Sequence, residues 1–340
     1  MKTSIVILNW NGKHFLEKYL PGVIAVSQLP DVEITVADNA STDDSIPYLQ
    51  THHPEISIIR LDKNYGFAEG YNRALQQVEA DYYVLLNSDV EVTPGWLQPL
   101  LGLMQQKPDI AACMPKICAA DDHSRFEYAG AAGGFMDKYG YAFCRGRLFR
   151  TVEKDAGQYD SEMEIFWATG ACCMIQAKLF HQMGGFDGSF FAHMEEIDLC
   201  WRLKNAGYTV WYTPHSVVYH VGGGMLPASS PFKTFLNYRN SLLMMYKNLP
   251  RTQRKRILRI RMVFDGLSAA SSLLKGDIQT VKAIWKAHKD YKKLRRLSSD
   301  TNKFLSYPSC VYHRSIVYQY FIKGCKRYEE LPTIIMFQRG

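Results

Sequence analysis

The sequence predicts an α/β fold: a mostly parallel sheet with helices on both faces, followed by a helical C-terminal extension. Three observations predict it. Residues 1–110 alternate short apolar runs with amphipathic segments, the rhythm of parallel strands buried on both faces and joined by crossover helices. Each apolar run ends in a polar cluster: Asn9-Trp10-Asn11, Asp38-Asn39 and Asn87-Ser88-Asp89. In open α/β sheets ligands bind beyond the carboxyl ends of the strands, so chemistry and topology agree. From Pro231 onward the chain reads as helical, with Pro250 separating one segment from the basic one after it.

In order, Ser4–Leu8 is the first strand, followed by an amphipathic helix around Phe15 to Val26. Glu33–Ala37 is the second strand. The run Asp38-Asn39-Ala40-Ser41-Thr42-Asp43-Asp44, rich in caps and turn formers, leads into a short helix near Ser45–Gln50. Ile56–Arg60 is the third strand, and Phe67 to Val78 is a helix with Ala68, Tyr71, Ala74, Leu75 and Val78 as its inner stripe. Tyr82–Leu86 is the fourth strand. Tyr128 to Arg147 lacks periodicity and is expected to be loop or irregular strand; order returns at Ile165–Ile175. A helix starts near Glu195, and Gly222-Gly223-Gly224 reads as a hinge-like run.

The chain has 340 residues, 47% hydrophobic and 21% charged, enough for one large domain and a smaller appendage. Its 8 cysteines form no C-x-x-C pair and read as small buried hydrophobes in a reducing compartment. The opening apolar run is too short for a signal peptide, and no stretch reaches the roughly 18 uncharged apolar residues of a membrane span. No phosphate-cradling glycine loop is present, which weighs against a kinase, an ATPase or a dinucleotide dehydrogenase.

Residues i and i+2 on extended backbone point the same way, so Asn87 and Asp89 can reach one site. Asp89 is a candidate ligand for a hard divalent ion, which needs few protein oxygens when phosphates and waters complete its shell. Asn87 is a neutral neighbour suited to a ribose or an ordered water; the alternative for both is an ordinary Asx turn. Asp38 can accept a hydrogen bond from a base or ribose, or cap a helix. Glu195 and Glu196 open a helix that later carries Arg202 and Lys204. Either is a candidate general base for a hydroxyl, and helix-dipole complementarity is the competing account. His220 is suited to completing a metal site or to a structural role.

These residues, with Ser4-Ile5-Val6-Ile7-Leu8-Asn9-Trp10-Asn11, Asn64-Tyr65-Gly66-Phe67, Thr169-Gly170-Ala171, Gly184-Gly185-Phe186-Asp187, Glu195-Glu196-Ile197-Asp198-Leu199-Cys200-Trp201-Arg202 and Tyr219-His220, stand in one order. Together they resemble the family 2 glycosyltransferases of GT-A fold, especially the rhamnosyltransferase-like branch of bacterial polysaccharide assembly. The resemblance covers about residues 3–248. It implies a nucleotide-diphospho-sugar donor, Mg²⁺ or Mn²⁺, inversion at the anomeric carbon, and a glycan or polyprenyl-linked acceptor. By that analogy Asn9, Asp38, Asn64 and Asn87 face the donor, Asp89 holds the metal with help from His220, and Glu196, or Glu195, is the base. Two departures stand out: Asn87 replaces the first acid of the D-x-D motif, and Glu196 replaces the family's aspartate. The implied organisation is a catalytic domain over 1–248, with a nucleotide-binding half over 1–110 and an acceptor-side half over 111–248, and a basic extension over 249–340.

The formal charge is +7, concentrated in Arg251, Arg254, Lys255, Arg256, Arg259 and Arg261 and again from Lys282 to Arg296. Interleaved with Ile257, Leu258, Ile260, Met262, Val263, Phe264 and Leu267, these residues suggest a helix lying apolar side down on an anionic membrane, not on nucleic acid. The expected location is cytoplasmic, peripheral at the inner membrane face. The competing account is a helical appendage packed on the catalytic domain or on a second subunit of a homodimer. A sugar-phosphate nucleotidyltransferase would need a basic, glycine-rich triphosphate loop that Asn9-Trp10-Asn11-Gly12 does not supply. A non-catalytic glycan- or nucleic-acid-binding protein would leave the clustered acids unexplained.

Overall fold

Residues 1–222, 230–297 and 306–332 are described by a computed structural model. Strands β1 (Thr3–Asn9), β2 (Val32–Asp38), β3 (Ser57–Arg60) and β4 (Tyr82–Asn87) lie parallel in the order β3-β2-β1-β4. Their register aligns the carboxyl ends, Asn9 opposite Asp38 and Leu8 opposite Asn87. Ile5, Val6 and Ile7 are all buried, as a strand covered on both faces requires. The connecting helices are α1 (Lys13–Val26), α2 (Ser45–His52) and α3 (Gly66–Leu75). Helix α3 buries Ala68, Tyr71, Ala74 and Leu75 and ends there, leaving Val78 beyond its stripe. The Tyr71 hydroxyl is shared between the carbonyl oxygens of Val6 (3.2 Å) and Leu86 (3.3 Å), fastening α3 across β1 and β4.

Beyond β4 come β5 (Val90–Val92), α4 (Leu97–Gln106) and the fully buried β6 (Ile110–Ala119). The stretch from Tyr128 to Arg147, expected to be loop or irregular strand, holds β7 (Gly134–Asp137), β8 (Ala142–Cys144) and the start of β9 (Arg147–Leu148), and β10 (Thr151–Val152) follows it. They are too short for a periodic signal, and tight turns separate them. Next follow β11 (Met163–Ile165), β12 (Cys172–Gln176), α5 (Ala177–Gln182), α6 (Glu195–Asn205) and β13 (Thr209–His220). The main sheet continues past its parallel set as a mixed one: β12 runs antiparallel between β4 and β6, and β13 runs parallel to β6. Most of the glycine run after His220 lies outside the described residues.

The chain closes with α7 (Pro231–Asn248), α8 (Arg251–Leu274), α9 (Ile278–Leu297), β14 (Val311–Tyr312) and α10 (Ile316–Phe321). Strand β14 adds in parallel to β7, so this segment completes the small sheet in the order β10-β9-β8-β7-β14. Asp137 staples the join. Its Oδ1 accepts the amides of Tyr139 and Tyr141 (both 2.9 Å), and its Oδ2 accepts the amide of Ile316 (2.9 Å). Burial pushes its carboxyl up to about 6, against the pull of those amides. Asp137→Ala strands three amide donors, that of Ile316 fully buried, and is expected to cost roughly 2–4 kcal/mol in urea unfolding; an unchanged midpoint would refute the staple.

Helix α8 presents only part of the apolar face expected of it: Val263 and Leu267 are exposed, and the rest is covered by protein. Ile257 and Leu258 are buried, Met262 packs against the core, and the Phe264 ring meets Tyr139 and Tyr141 edge-on. Arg261, counted among the surface cations, is buried: it pairs with Asp265 (2.8 Å), covers the Tyr141 ring and donates to the Gly140 carbonyl. His288 of α9 meets the same Asp265 at 3.0 Å. That stripe therefore docks the α8–α9 hairpin onto the protein. Among the described residues, no helix is long and apolar enough to cross a membrane.

Candidate active site

The strand ends converge as the register requires. Asn9 is fully buried and its Nδ2 donates to Asp38 Oδ1 (3.2 Å), while Asp38 Oδ2 accepts the Ser41 amide (3.0 Å). Asp38 thus spends part of its hydrogen-bonding capacity organising its own loop. Asp43, expected as a cap for α2, reaches across to accept the Lys13 amide at the start of α1 (3.0 Å) and also holds Ser45. Asn64 Oδ1 accepts the Gly66 amide (2.8 Å) and the Asn39 side chain (3.1 Å), so it orders a loop bordering the cleft. Gly66 sits at φ +74°, where a Cβ would lie 2.6 Å from the Phe191 carbonyl oxygen; only glycine fits there. Buried Asn9 Oδ1 has no partner among the described residues.

Asp89 follows the end of β4, and its neighbour Val90 opens β5, which pairs with β13 so that Val90 faces His220. This pairing brings a histidine from far along the chain to the aspartate. His220 Nε2 lies 3.2 Å from Asp89 Oδ1, and Nδ1 lies 3.4 Å from Glu127 Oε2. The second contact is an ion pair and not a well-directed hydrogen bond, since Nδ1 has no partner of good geometry. All three side chains are buried, His220 with only 6% of its surface exposed. Burial alone would push the imidazole down; the two carboxylates outweigh it and raise it to about 10. It is an imidazolium at neutral pH. Gly222, at φ +70°, leaves room here, because a Cβ would stand 2.7 Å from Glu127 Oε1.

At the mouth of α6, Glu195 is buried and Glu196 is half-buried, and each has an Oε2 without a partner among the described residues. Burial, then the neighbouring charge of Glu196, holds Glu195 far above the usual carboxylate range; burial raises Glu196 to about 7. By contrast Asp198 is fully engaged: Arg202 donates to it at 2.8 Å and Asn248 at 2.7 Å. It is structural.

The approach to α6 is strained. Phe191, His193 and Met194 have φ of 66°, 68° and 75°, a region costly for residues with side chains. Helix α7 holds them there. Asn240 Nδ2 donates to the carbonyls of Phe190 (3.0 Å), Ala192 (2.9 Å) and His193 (2.7 Å), and Arg239 donates to those of Ser189 and Phe190. Burial and nearby Lys233 push His193 down to about 4, and Lys233 also feels Glu127.

The fold thus brings Asn9, Asp38, Asn87, Asp89 and His220 to one end of the sheet. Asp38 and Asn87, at the ends of β2 and β4 on either side of β1, are two strand spacings apart, roughly 10 Å. The Asn87 amide donates to the Ala171 carbonyl (2.9 Å) just before β12, whose Cys173 senses the charge of Glu196, so the α6 acids border the same end. Glu127, Lys233 and Asn240 were not singled out from the sequence. Glu127 lies just before the stretch without periodicity, and nothing local distinguishes it.

An oxygen from Asp89 and a nitrogen from His220 are donors that Mn²⁺ or Mg²⁺ accepts. Use of His220 requires its bridging proton to leave. No cage of three or more such side chains is preformed among the described residues, so phosphate oxygens and water would have to complete any shell. The pair fits a weakly held, substrate-completed ion.

Among solved structures, the chain resembles GalNAc-T7 with UDP, GalNAc and Mn²⁺ at a TM-score of 0.58 and 16% identity, over 86% of this chain and 54% of that one; it therefore spans about half that protein's length. It also resembles a mannosyltransferase from Pyrobaculum calidifontis in complex with GDP-Man and Mn²⁺, at a TM-score of 0.50 and 13% identity, over 89% and 88%. The sheet with its flanking helices is that of a GT-A fold.

Residues 4–184 match the family described as Glycosyl transferase family 2. The chain is 26% identical over 230 residues to the N-acetylglucosaminyl-diphospho-decaprenol L-rhamnosyltransferase of Mycobacterium tuberculosis, covering 64% of this chain and 75% of that protein. It is 21% identical over 248 residues to a low-salt glycan biosynthesis hexosyltransferase of Haloferax volcanii, covering 71% and 74%. The chain belongs to glycosyltransferase family 2 and is an enzyme of that class.

Proposed function

We propose that this enzyme transfers a sugar, with rhamnose the favoured candidate, from a nucleotide-diphospho-sugar to a polyprenyl-linked saccharide or glycan, with inversion, at the inner face of a membrane. The observation that carries the reading is the meeting of Asp89 and His220, distant in sequence, at the sheet end bordered by Glu195 and Glu196, each of whose Oε2 atoms is buried without a partner among the described residues. Asn9, Asp38, Asn64 and Asn87 are assigned to the donor's nucleoside and the loops that frame it, and Asp89 with His220 to Mg²⁺ or Mn²⁺. When bound, that ion neutralises charge growing on the departing diphosphate. The acceptor oxygen attacks the anomeric carbon from the opposite face, the bond to the phosphate oxygen breaks, and Glu196 takes the hydroxyl proton. Glu196 is preferred over Glu195 because it is the less buried of the two and its carboxyl sits near neutrality. Glu195, whose carboxyl burial and the neighbouring Glu196 push well above the usual range, is assigned to orienting the acceptor through a hydrogen bond.

Two observations favour the rhamnosyl and lipid-linked version: the Mycobacterium relative is described as acting on a decaprenol-linked substrate, and the C-terminal helices are strongly basic. Isothermal titration with UDP, dTDP and GDP, each with and without Mn²⁺, tests the core of the proposal. One of them should bind in a metal-dependent manner, and Asp89→Ala should weaken that binding at least about tenfold. Undiminished binding by Asp89→Ala would remove the metal role, and binding of RNA or glycan alone would replace the enzyme reading with a recognition module.

A further inference from the structure

The α8–α9 hairpin ends in an apolar tip that none of the described residues covers. Leu267, Leu273, Leu274, Ile278 and Trp285 are exposed there, Leu274 at 90% and Trp285 at 67%. Soluble surfaces scatter such residues singly, whereas a contiguous group of them marks an interaction site. Lys275, Lys282, Lys286 and Lys289, all exposed, surround the group. We propose that this tip enters the interfacial layer of an anionic bilayer, with the lysines at the headgroups. The proposal deepens the membrane reading above, and it moves the contact from the apolar stripe of α8, which is largely packed on protein, to the turn between α8 and α9.

Charge identifies the occupant. Residues 251–297 carry 14 Lys and Arg against 3 Asp and Glu. Of the acids, Asp265 is spent on Arg261 and His288, and Asp290 on Arg239; Asp277 alone is exposed. A second copy docked through the same tip would bring like charges together, while an anionic lipid surface is complementary to it. Apolar side chains ringed by lysines suit the boundary between headgroup and acyl chain.

The position of the tip gives it a use. Ala283 and Ala287 of α9 form one cluster with Phe235 and Leu236 of α7, against which Phe191 and Ala192 pack. Phe191 and Ala192 directly precede the helix mouth that bears Glu195 and Glu196. At about 1.5 Å of rise per residue, Ile278 lies only some 7–8 Å along the helix from that cluster. Exposed Phe232 stands edge-on to Phe191 at 6.0 Å and continues the apolar path. A tip held in the interface therefore sets the acceptor mouth beside the depth at which a polyprenyl diphosphate presents its sugar.

Co-sedimentation of the full chain with phosphatidylcholine–phosphatidylglycerol vesicles, against pure phosphatidylcholine, tests this without any donor or acceptor, so its outcome is independent of whether the sugar-transfer reading survives. Wild type should bind the mixed vesicles selectively. Leu274→Asp with Trp285→Ser, positions that contribute little to the core, should lower partitioning about tenfold or more. Lys275→Glu with Lys282→Glu should lower it about fivefold per lysine. Both variants should keep wild-type melting temperatures and wild-type transfer to a short, water-soluble acceptor. Equal binding by wild type and either variant would overturn the proposal. So would light scattering that shows a wild-type dimer broken by the apolar pair while vesicle binding persists.

Discussion

Glu196→Gln is expected to slow sugar transfer by about a hundredfold to ten-thousandfold, the span that general-base catalysis contributes, with nucleoside diphosphate affinity unchanged. The wild-type rate should rise with pH through about 7, where Glu196 loses its proton, and this limb should vanish in the variant. Stability moves the other way. The folded-state value of Glu196 lies above its ordinary 4.5, so the folded protein holds the proton more tightly than the unfolded chain does. The stability tied to that proton is fully present below pH 4.5 and is lost as pH rises to about 7. An uncharged glutamine escapes the loss, and Glu196→Gln should be more stable at neutral pH by on the order of 1–3 kcal/mol. Steady-state transfer and denaturant melts across pH measure both effects. Wild-type transfer by Glu196→Gln, with loss in Glu195→Gln, would reassign the base to its neighbour.

Asn240→Leu should produce the second large effect, from a residue that touches no substrate. Its amide binds three carbonyls of the strained segment before α6. Leucine of similar volume leaves those of Ala192 and His193 without this partner, at about 1–3 kcal/mol for each buried group. Phe191, His193 and Met194 would then relax from positive φ, and the Glu195–Glu196 pair would shift. A misplacement of about 1 Å costs on the order of a hundredfold in rate, so kcat should fall by that much. The KM for donor should hold, because the Asn240 side chain bonds to Arg239 and to the carbonyls of Phe190, Ala192 and His193 and, among the described residues, to neither the Asp38 nor the Asp89 loop. A purely structural loss would lower the amount of active enzyme without this split and would leave the pH limb of the remaining activity in place. Asn240→Asp, which removes the donor but keeps the shape, should behave like the leucine variant.

The parallel half of the sheet was legible because each strand is short, apolar and closed by polar residues, and the register then placed Asn9, Asp38 and Asn87 together. His220 could be suspected from its apolar strand and following glycines, but its meeting with Asp89 depends on the β5–β13 pairing, which three residues of β5 do not announce. Glu127 was invisible for a related reason: it lies just before a sheet of very short strands, where periodicity has no length in which to appear. Asn240 was hidden differently, since an asparagine within a helix carries no sign that its amide reaches another segment. The stripe from Ile257 to Phe264 was read correctly as amphipathic, but amphipathicity states only that one face is covered. Protein covers Ile257, Leu258 and Met262, while Val263 is left exposed.

The parallel join of β14 to β7 has a bearing on how the chain is made. On the ribosome, β7 emerges with one edge bare, and its partner follows only after both long helices of the hairpin have been synthesised. Until then the small sheet offers unpaired amides and carbonyls to any passing strand. Glu127 and the turn after it adjoin that unfinished sheet, so the corner where Asp89, His220 and Glu127 meet is completed late even though Asp89 is made early.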